Sequence, residues 1–140
     1  MGRNYNYSVE KRRLGLFPLG KSPSGKGMGI NMILIIGGAA QGKTAYAKEA
    51  FGKEYKIIDG FHLRVREQLK EGKEPLEEAK ALLAEADNCV IISNEVGYGL
   101  VPVDAFEREY RETVGRVNCY LAGQAKQVIR VICGIGVRIK

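Results

Sequence analysis

The sequence predicts an α/β fold: a mostly parallel sheet with helices on both faces, forming a three-layer sandwich. Two observations carry that expectation. Short apolar runs rich in β-branched residues ("MILII", "YKII", "NCVIIS", "QVIRVI") alternate with longer stretches of helix formers. The first three runs also end against glycine or polar chemistry, at Gly37, at Asp59 with Gly60, and at Asn94 with Glu95. Ligands of parallel α/β sheets gather at the carboxyl ends of strands, so those three ends mark the expected site.

The first strand, "ILII" (33–36), runs straight into "GGAAQGKT" (37–44). This is the phosphate-loop spacing G-x-x-x-x-G-K-[ST], with Gly37, Gly42, Lys43 and Thr44 at its fixed positions. Glycines allow a tight turn whose N–H groups can face phosphate oxygens, so Gly37, Gly38, Ala39, Ala40, Gln41 and Gly42 are the expected cradle. Lys43 is expected to reach the β- and γ-phosphates, facing solvent when no ligand is bound, and the Thr44 hydroxyl to ligate Mg²⁺. "KTAYAKEAF" (43–51) then supplies a helix whose positive end adds to the attraction. The bland alternative is a glycine-rich turn. The strand before it and the helix after it favour a nucleotide and a P-loop NTPase-like sandwich.

"YKIIDG" (55–60) reads as a second short strand ending in Asp59, and "FHLRVREQLKEG" (61–72) as a helix with Phe61, Val65 and Leu69 inward. Asp59 is either the cap of that helix or a functional carboxylate. "PLEEAKALLAEA" (75–86) has proline first and acids early, the order a helix N-terminus favours. "NCVIIS" (88–93) is a buried strand. Glu95 directly after it is partly desolvated, which calls for a cation or donor; Mg²⁺ or a substrate hydroxyl would serve. The longest helix is expected from about Val103 to Ala125, with Phe106, Tyr110, Val114, Val117 and Leu121 in one core-facing stripe. "QVIRVICG" (127–134) is another buried strand, and "GVRIK" follows with no element assigned.

Length and composition bound the rest. The 140 residues fit one domain, expected over 32–140, and 45% hydrophobic with 27% charged residues describes a globular class. No apolar run is long enough to span a membrane. The three cysteines, Cys89, Cys119 and Cys133, are read as reduced thiols in the cytoplasm, with Cys89 and Cys133 buried. Six of the 22 Lys and Arg lie in residues 1–31 against a single acid, Glu10, leaving the remainder nearly neutral. That stretch reads as a disordered basic leader, with Met28 and Met32 as alternative starts, and nucleic acid is not an expected partner.

The motifs also resemble one family. "MILIIGGAAQGKT", with "NEVGYGLVP", "GRVN" and the terminal "GIGVRIK", is similar to adenosylcobinamide kinase / adenosylcobinamide-phosphate guanylyltransferase over about 32–45 and 90–140. The resemblance implies phosphoryl transfer from ATP or GTP to the aminopropanol hydroxyl of a corrinoid, then GMP transfer from GTP through a guanylylated histidine. It implies nucleotide contacts at Ile58, Asp59 and Gly60 and a catalytic place for Glu95. Asp59 or Glu95 would join Thr44 at the metal, and a homo-oligomer is expected. Arg116 and Asn118 match G-R-V-N without an assigned role. Ala40-Gln41 stands where the family has Arg-Ser, and the short span from Asp59 to Val90 implies one strand–helix unit fewer. The nucleophile's place is held by Gln68 or Leu69, so His62, the chain's one histidine, is the candidate. The alternatives are a P-loop kinase on another small substrate and a non-catalytic nucleotide-binding regulator.

Overall fold

The computed structural model describes residues 31–97 and 99–140, so the expected leader lies, but for Asn31, outside the described residues. The elements run β1 (Met32–Gly37), α1 (Lys43–Phe51), β2 (Lys56–Ile58), α2 (Phe61–Lys70), α3 (Pro75–Glu85), β3 (Cys89–Asn94), α4 (Ala105–Gln124), β4 (Gln127–Ile132) and β5 (Ile135–Arg138). The sheet order is β2-β3-β1-β4-β5. Every pairing is parallel except β4 with β5. This is the α/β, P-loop NTPase-like architecture the strand–helix alternation predicts. Between β2 and β3 stand two helices and, among the described residues, no further strand.

The pleat sends alternate residues of the central strands to opposite faces, and both faces are covered, so these strands read as continuous apolar runs. Ile33 and Ile35 join Val90, Ile92, Ile129 and Val131 beneath Tyr46, Ala47 and Phe51 of α1. Met32 and Leu34 join Cys89, Ile91 and Val128 on the other face, under α2, α3 and α4. The expected stripe of α4 lies there, with Tyr110, Val114, Val117 and Leu121 buried and Phe106 packed at the rim. Pro75 with Glu77 and Glu78 opens α3. Asp104 caps α4 by accepting from the Glu107 N–H at 3.1 Å. By contrast α1 and α2 start from left-handed glycines, Gly42 and Gly60, with no side-chain cap.

Two features differ from expectation. "GVRIK" belongs to a fifth strand that returns antiparallel to β4 through a two-residue turn. Cys133 and Gly134 form that turn with φ of 51° and 76°. Positive φ at both central positions suits the right-handed twist of the paired strands. The turn puts Cys133 at an exposed tip rather than in the core; Cys119 is also exposed and Cys89 alone is buried. Burial pushes the Cys89 thiol pKa up, away from reactivity. No helix among the described residues is long and apolar enough to cross a membrane.

Strand β5 is seated on α1 through a missing side chain. A Cβ on Gly136 would fall 2.4 Å from Tyr46 Cζ, so the ring occupies that space. Gly136→Ala is expected to destabilise the protein by about 1–3 kcal/mol, the range for overpacking a filled core. Urea unfolding measures it; an unchanged midpoint would show that Tyr46 does not pack there.

Candidate functional site

The parallel register brings the carboxyl ends of β1 and β3 level, with Gly37 opposite Asn94. The Glu95 N–H extends the ladder by donating to Gly37 O at 2.8 Å. At Gly37 the chain passes so close to β4 that a Cβ would lie 2.5 Å from Val131 O. Only glycine fits this strand exit. The loop then turns through left-handed Ala40 (φ 54°) and Gly42 (φ 86°). Gln41 holds the hairpin tip. Its Oε1 accepts from Cys133 N–H at 2.8 Å, and its own carbonyl accepts from Gly134 N–H at 2.7 Å. The β4–β5 turn thus braces the outer side of the loop.

Lys43 is buried, 7% exposed, rather than facing solvent. Its ammonium folds back and donates to the Gly38 carbonyl across the loop. Burial lowers its pKa, and the carboxylates of Asp59 and Glu95 partly oppose that shift. Thr44 Oγ1 donates to Asp59 Oδ2 at 2.5 Å, while Asp59 Oδ1 accepts from Gly60 N–H at 2.7 Å. Asp59 is therefore not the cap of α2, which Gly60 provides in a left-handed conformation. Gly42 to Ala45, Asp59 and Asn94 share a cleft of about 390 Å³ with Ala39, Ala40 and Gln41. Ile58 packs half-buried at the core's edge just behind Asp59.

A second cleft of about 260 Å³ adjoins the first, and Ala39 and Asn94 line both. Glu95 lies in it, with Val96, Gly97, Glu107, Tyr110 and Arg111. The cation that Glu95 requires is Arg130 of β4, which meets both carboxylate oxygens, Nη2 to Oε2 at 2.9 Å and Nε to Oε1 at 2.8 Å. The Glu95 side chain is 13% exposed and that of Arg130 is 43%. Sequence reasoning missed this partner. Its signal was a cation within the buried strand "QVIRVI". Around the cleft, Arg66 binds both carboxylate oxygens of Glu107 and lies over the Phe106 and Tyr110 rings at 5.4 and 5.0 Å. Arg111 Nη1 donates to Leu100 O at 2.8 Å, tying the glycine-rich loop after β3 to α4.

His62, in the first turn of α2, accepts the Asn94 N–H on Nδ1 at 3.2 Å. Asn118 donates from Nδ2 to the Asn94 carbonyl at 3.3 Å, which gives the second polar residue of G-R-V-N its structural partner. Arg116 points outward and pairs with Glu112 one turn back on the helix. Burial, with the nearby Lys43 charge, lowers the His62 pKa against the pull of Asp59. The described residues hold no cluster of three or more His, Cys, Asp or Glu side chains suited to a metal. The Thr44–Asp59 pair does present hard oxygen donors beside the loop, a set that fits a phosphate-bound Mg²⁺ retaining several waters.

A buried lysine without a carboxylate in direct contact is held for something other than stability. Its folded pKa is lowered, so its contribution to stability is fully present only above the unfolded value of 10.5 and is lost as pH falls through the folded value. At neutral pH the charged group is a net cost. Lys43→Met should therefore leave the melting temperature unchanged or higher at pH 7, and its advantage over the parent should narrow as pH rises toward 10.5. Thermal scans across that range check it; a lower melting temperature at pH 7 would make Lys43 a structural brace.

The sequence profile of the cobinamide kinase / cobinamide phosphate guanyltransferase family matches residues 53–139. The matched span takes in β2, the Asp59 strand end, His62, Glu95 and the whole of α4, β4 and β5, and begins after the phosphate loop. The bifunctional adenosylcobalamin biosynthesis protein CobU of Escherichia coli (strain K12) is 43% identical over 67 residues, 45% of this chain and 37% of that protein. Its counterpart in Salmonella typhimurium is 43% identical over 68 residues, 46% of this chain and 38% of that protein. With the profile covering well over half of the chain on a parallel α/β frame, this protein belongs to the cobinamide kinase / cobinamide phosphate guanyltransferase family.

Proposed function

We propose that this chain binds ATP or GTP on Gly37–Thr44 and transfers the terminal phosphoryl group to the aminopropanol hydroxyl of a corrinoid, adenosylcobinamide. One observation carries the reading: the phosphate-loop cleft, lined by the buried Lys43, adjoins a second cleft that contains Glu95, with Ala39 and Asn94 shared between them. A donor and an acceptor bound in adjoining clefts meet the first demand of phosphoryl transfer, which is positioning. On this reading the loop backbone receives the phosphates, and Lys43 leaves the Gly38 carbonyl for the β- and γ-phosphates. Ile58, Asp59 and Gly60 border the nucleotide. Thr44 and Asp59 would hold Mg²⁺, which supplies positive charge to the β- and γ-oxygens; Glu95, already paired with Arg130, is the less suited ligand. Glu95 orients the acceptor hydroxyl and takes its proton.

The second activity of the family, GMP transfer from GTP, needs a nucleophile, and His62 is the chain's one imidazole. To attack, its ring must present an unprotonated nitrogen to the α-phosphate, so Nδ1 would have to leave the Asn94 N–H that it accepts in this structure. The protein would work in the cytoplasm, where its three free cysteines stay reduced. The exposed apolar side chains Ile132, Ile135 and Val137 on the β4–β5 hairpin support a homo-oligomer.

Nucleotide turnover measured with and without adenosylcobinamide is the direct test. Stimulation by the corrinoid is expected; turnover indifferent to it would assign another acceptor, and no nucleotide binding would end the reading. Lys43→Ala should remove nucleotide binding and turnover while the fold persists. Glu95→Gln should cut turnover by ~10²-fold or more, as for a positioned acid–base group, and spare nucleotide binding. For the second half-reaction, GTP labelled at the α-phosphate should leave an acid-labile, base-stable adduct that disappears in His62→Ala. An adduct surviving that substitution would assign another nucleophile.

A further inference from the structure

Asn94 is the last residue of β3 and part of the wall between the two clefts. Its backbone groups have no strand partner on the side away from β1. β2 is only three residues long and its register with β3 stops at Ile58 opposite Ile91. Two side chains from different helices complete the pairing instead. His62 of α2 accepts the Asn94 N–H at 3.2 Å, and Asn118 of α4 donates to the Asn94 carbonyl at 3.3 Å. On the opposite side the next N–H, that of Glu95, donates to Gly37 O at 2.8 Å. The peptide that carries Glu95 out of the sheet is thus gripped from both edges.

We infer that His62 and Asn118 are paired positioning residues, which hold the Asn94–Glu95 segment in place between the phosphate loop and the second cleft. This role rests on the proposed phosphoryl transfer for its catalytic consequence, and on the geometry alone for its existence. It requires a neutral imidazole with its proton on Nε2, because only an unprotonated Nδ1 accepts an N–H. The surroundings favour the neutral form: burial and the Lys43 charge both disfavour imidazolium. The second residue of α2 is itself anchored, since Tyr110 Oη donates to the His62 carbonyl at 3.1 Å. The two contacts differ in chemistry, acceptor against donor, so they can be removed and restored separately.

The experiment compares His62→Asn, His62→Gln and His62→Ala in the full chain. The Asn oxygen can take the place of Nδ1, whereas Gln extends its amide past that point and Ala has no acceptor. His62→Ala and His62→Gln are expected to lower kcat by about 10²-fold, the effect of a misplaced reacting group, with KM for the nucleotide unchanged. His62→Asn should restore most of that loss. Asn118→Ala should show the same kcat-only pattern, and the double variant His62→Ala/Asn118→Ala should be no worse than the more affected single one. Activity equally lost in Asn and Ala variants would overturn the positioning role, as would full activity in His62→Ala. A readout without turnover separates this inference from the proposed function. Nitrogen-15 NMR of the nucleotide-free protein should show the Nε2–H tautomer of His62 and slow exchange of the Asn94 amide that becomes fast in His62→Ala. An Nδ1–H tautomer, or an Asn94 amide indifferent to the substitution, would overturn it even in an active enzyme.

Discussion

The register of β1 against β3 is the constraint on which the rest of the site depends. Because Gly37 stands opposite Asn94, the phosphate loop and the Glu95 loop leave the sheet at the same level and side by side. A slip of one residue would swap the faces of β1, turning Ile33 and Ile35 away from α1 and Met32 and Leu34 toward it, so the fit of both cores holds the register firmly. The close approach of Gly37 to the Val131 carbonyl then fixes where the loop begins. Chemistry at the sheet edge follows from packing in its middle.

Charge is arranged around that edge in opposition to stability. Lys43 is buried against a backbone carbonyl, with Asp59 and Glu95 near enough to offset part of the desolvation. Each of those carboxylates is committed elsewhere, Asp59 to Thr44 and the Gly60 N–H, and Glu95 to Arg130. The lysine is thereby left available to an incoming anion. Proteins commonly tolerate such local cost at functional sites because the scaffold supplies stability elsewhere. Here that scaffold is the pair of cores on the two sheet faces.

Most of the architecture was legible in the sequence. Apolar runs of β-branched residues located β1, β3 and β4, and the helical stripe of α4 emerged with its buried residues correct. The misses share a cause. β5 is held by pairing with β4 and by the Gly136 notch for Tyr46, and neither leaves a trace in the periodicity of four residues. Cys133 adjoins an apolar run, yet the hairpin turn lifts it out. Lys43 was expected in solvent because a motif specifies what a lysine does with a ligand and not where it rests without one.

By itself, then, the sequence determined the parallel α/β frame, the phosphate-loop spacing and the family, since each is a local or periodic property readable along one dimension. The partnerships were decided only in three dimensions. Arg130 reaches Glu95 across 35 positions, His62 reaches Asn94 across 32, and Gln41 reaches Cys133 across 92. A hydrogen bond requires two groups within about 3 Å, and which distant groups meet is set by sheet order and helix placement, not by the spacing of residues along the chain.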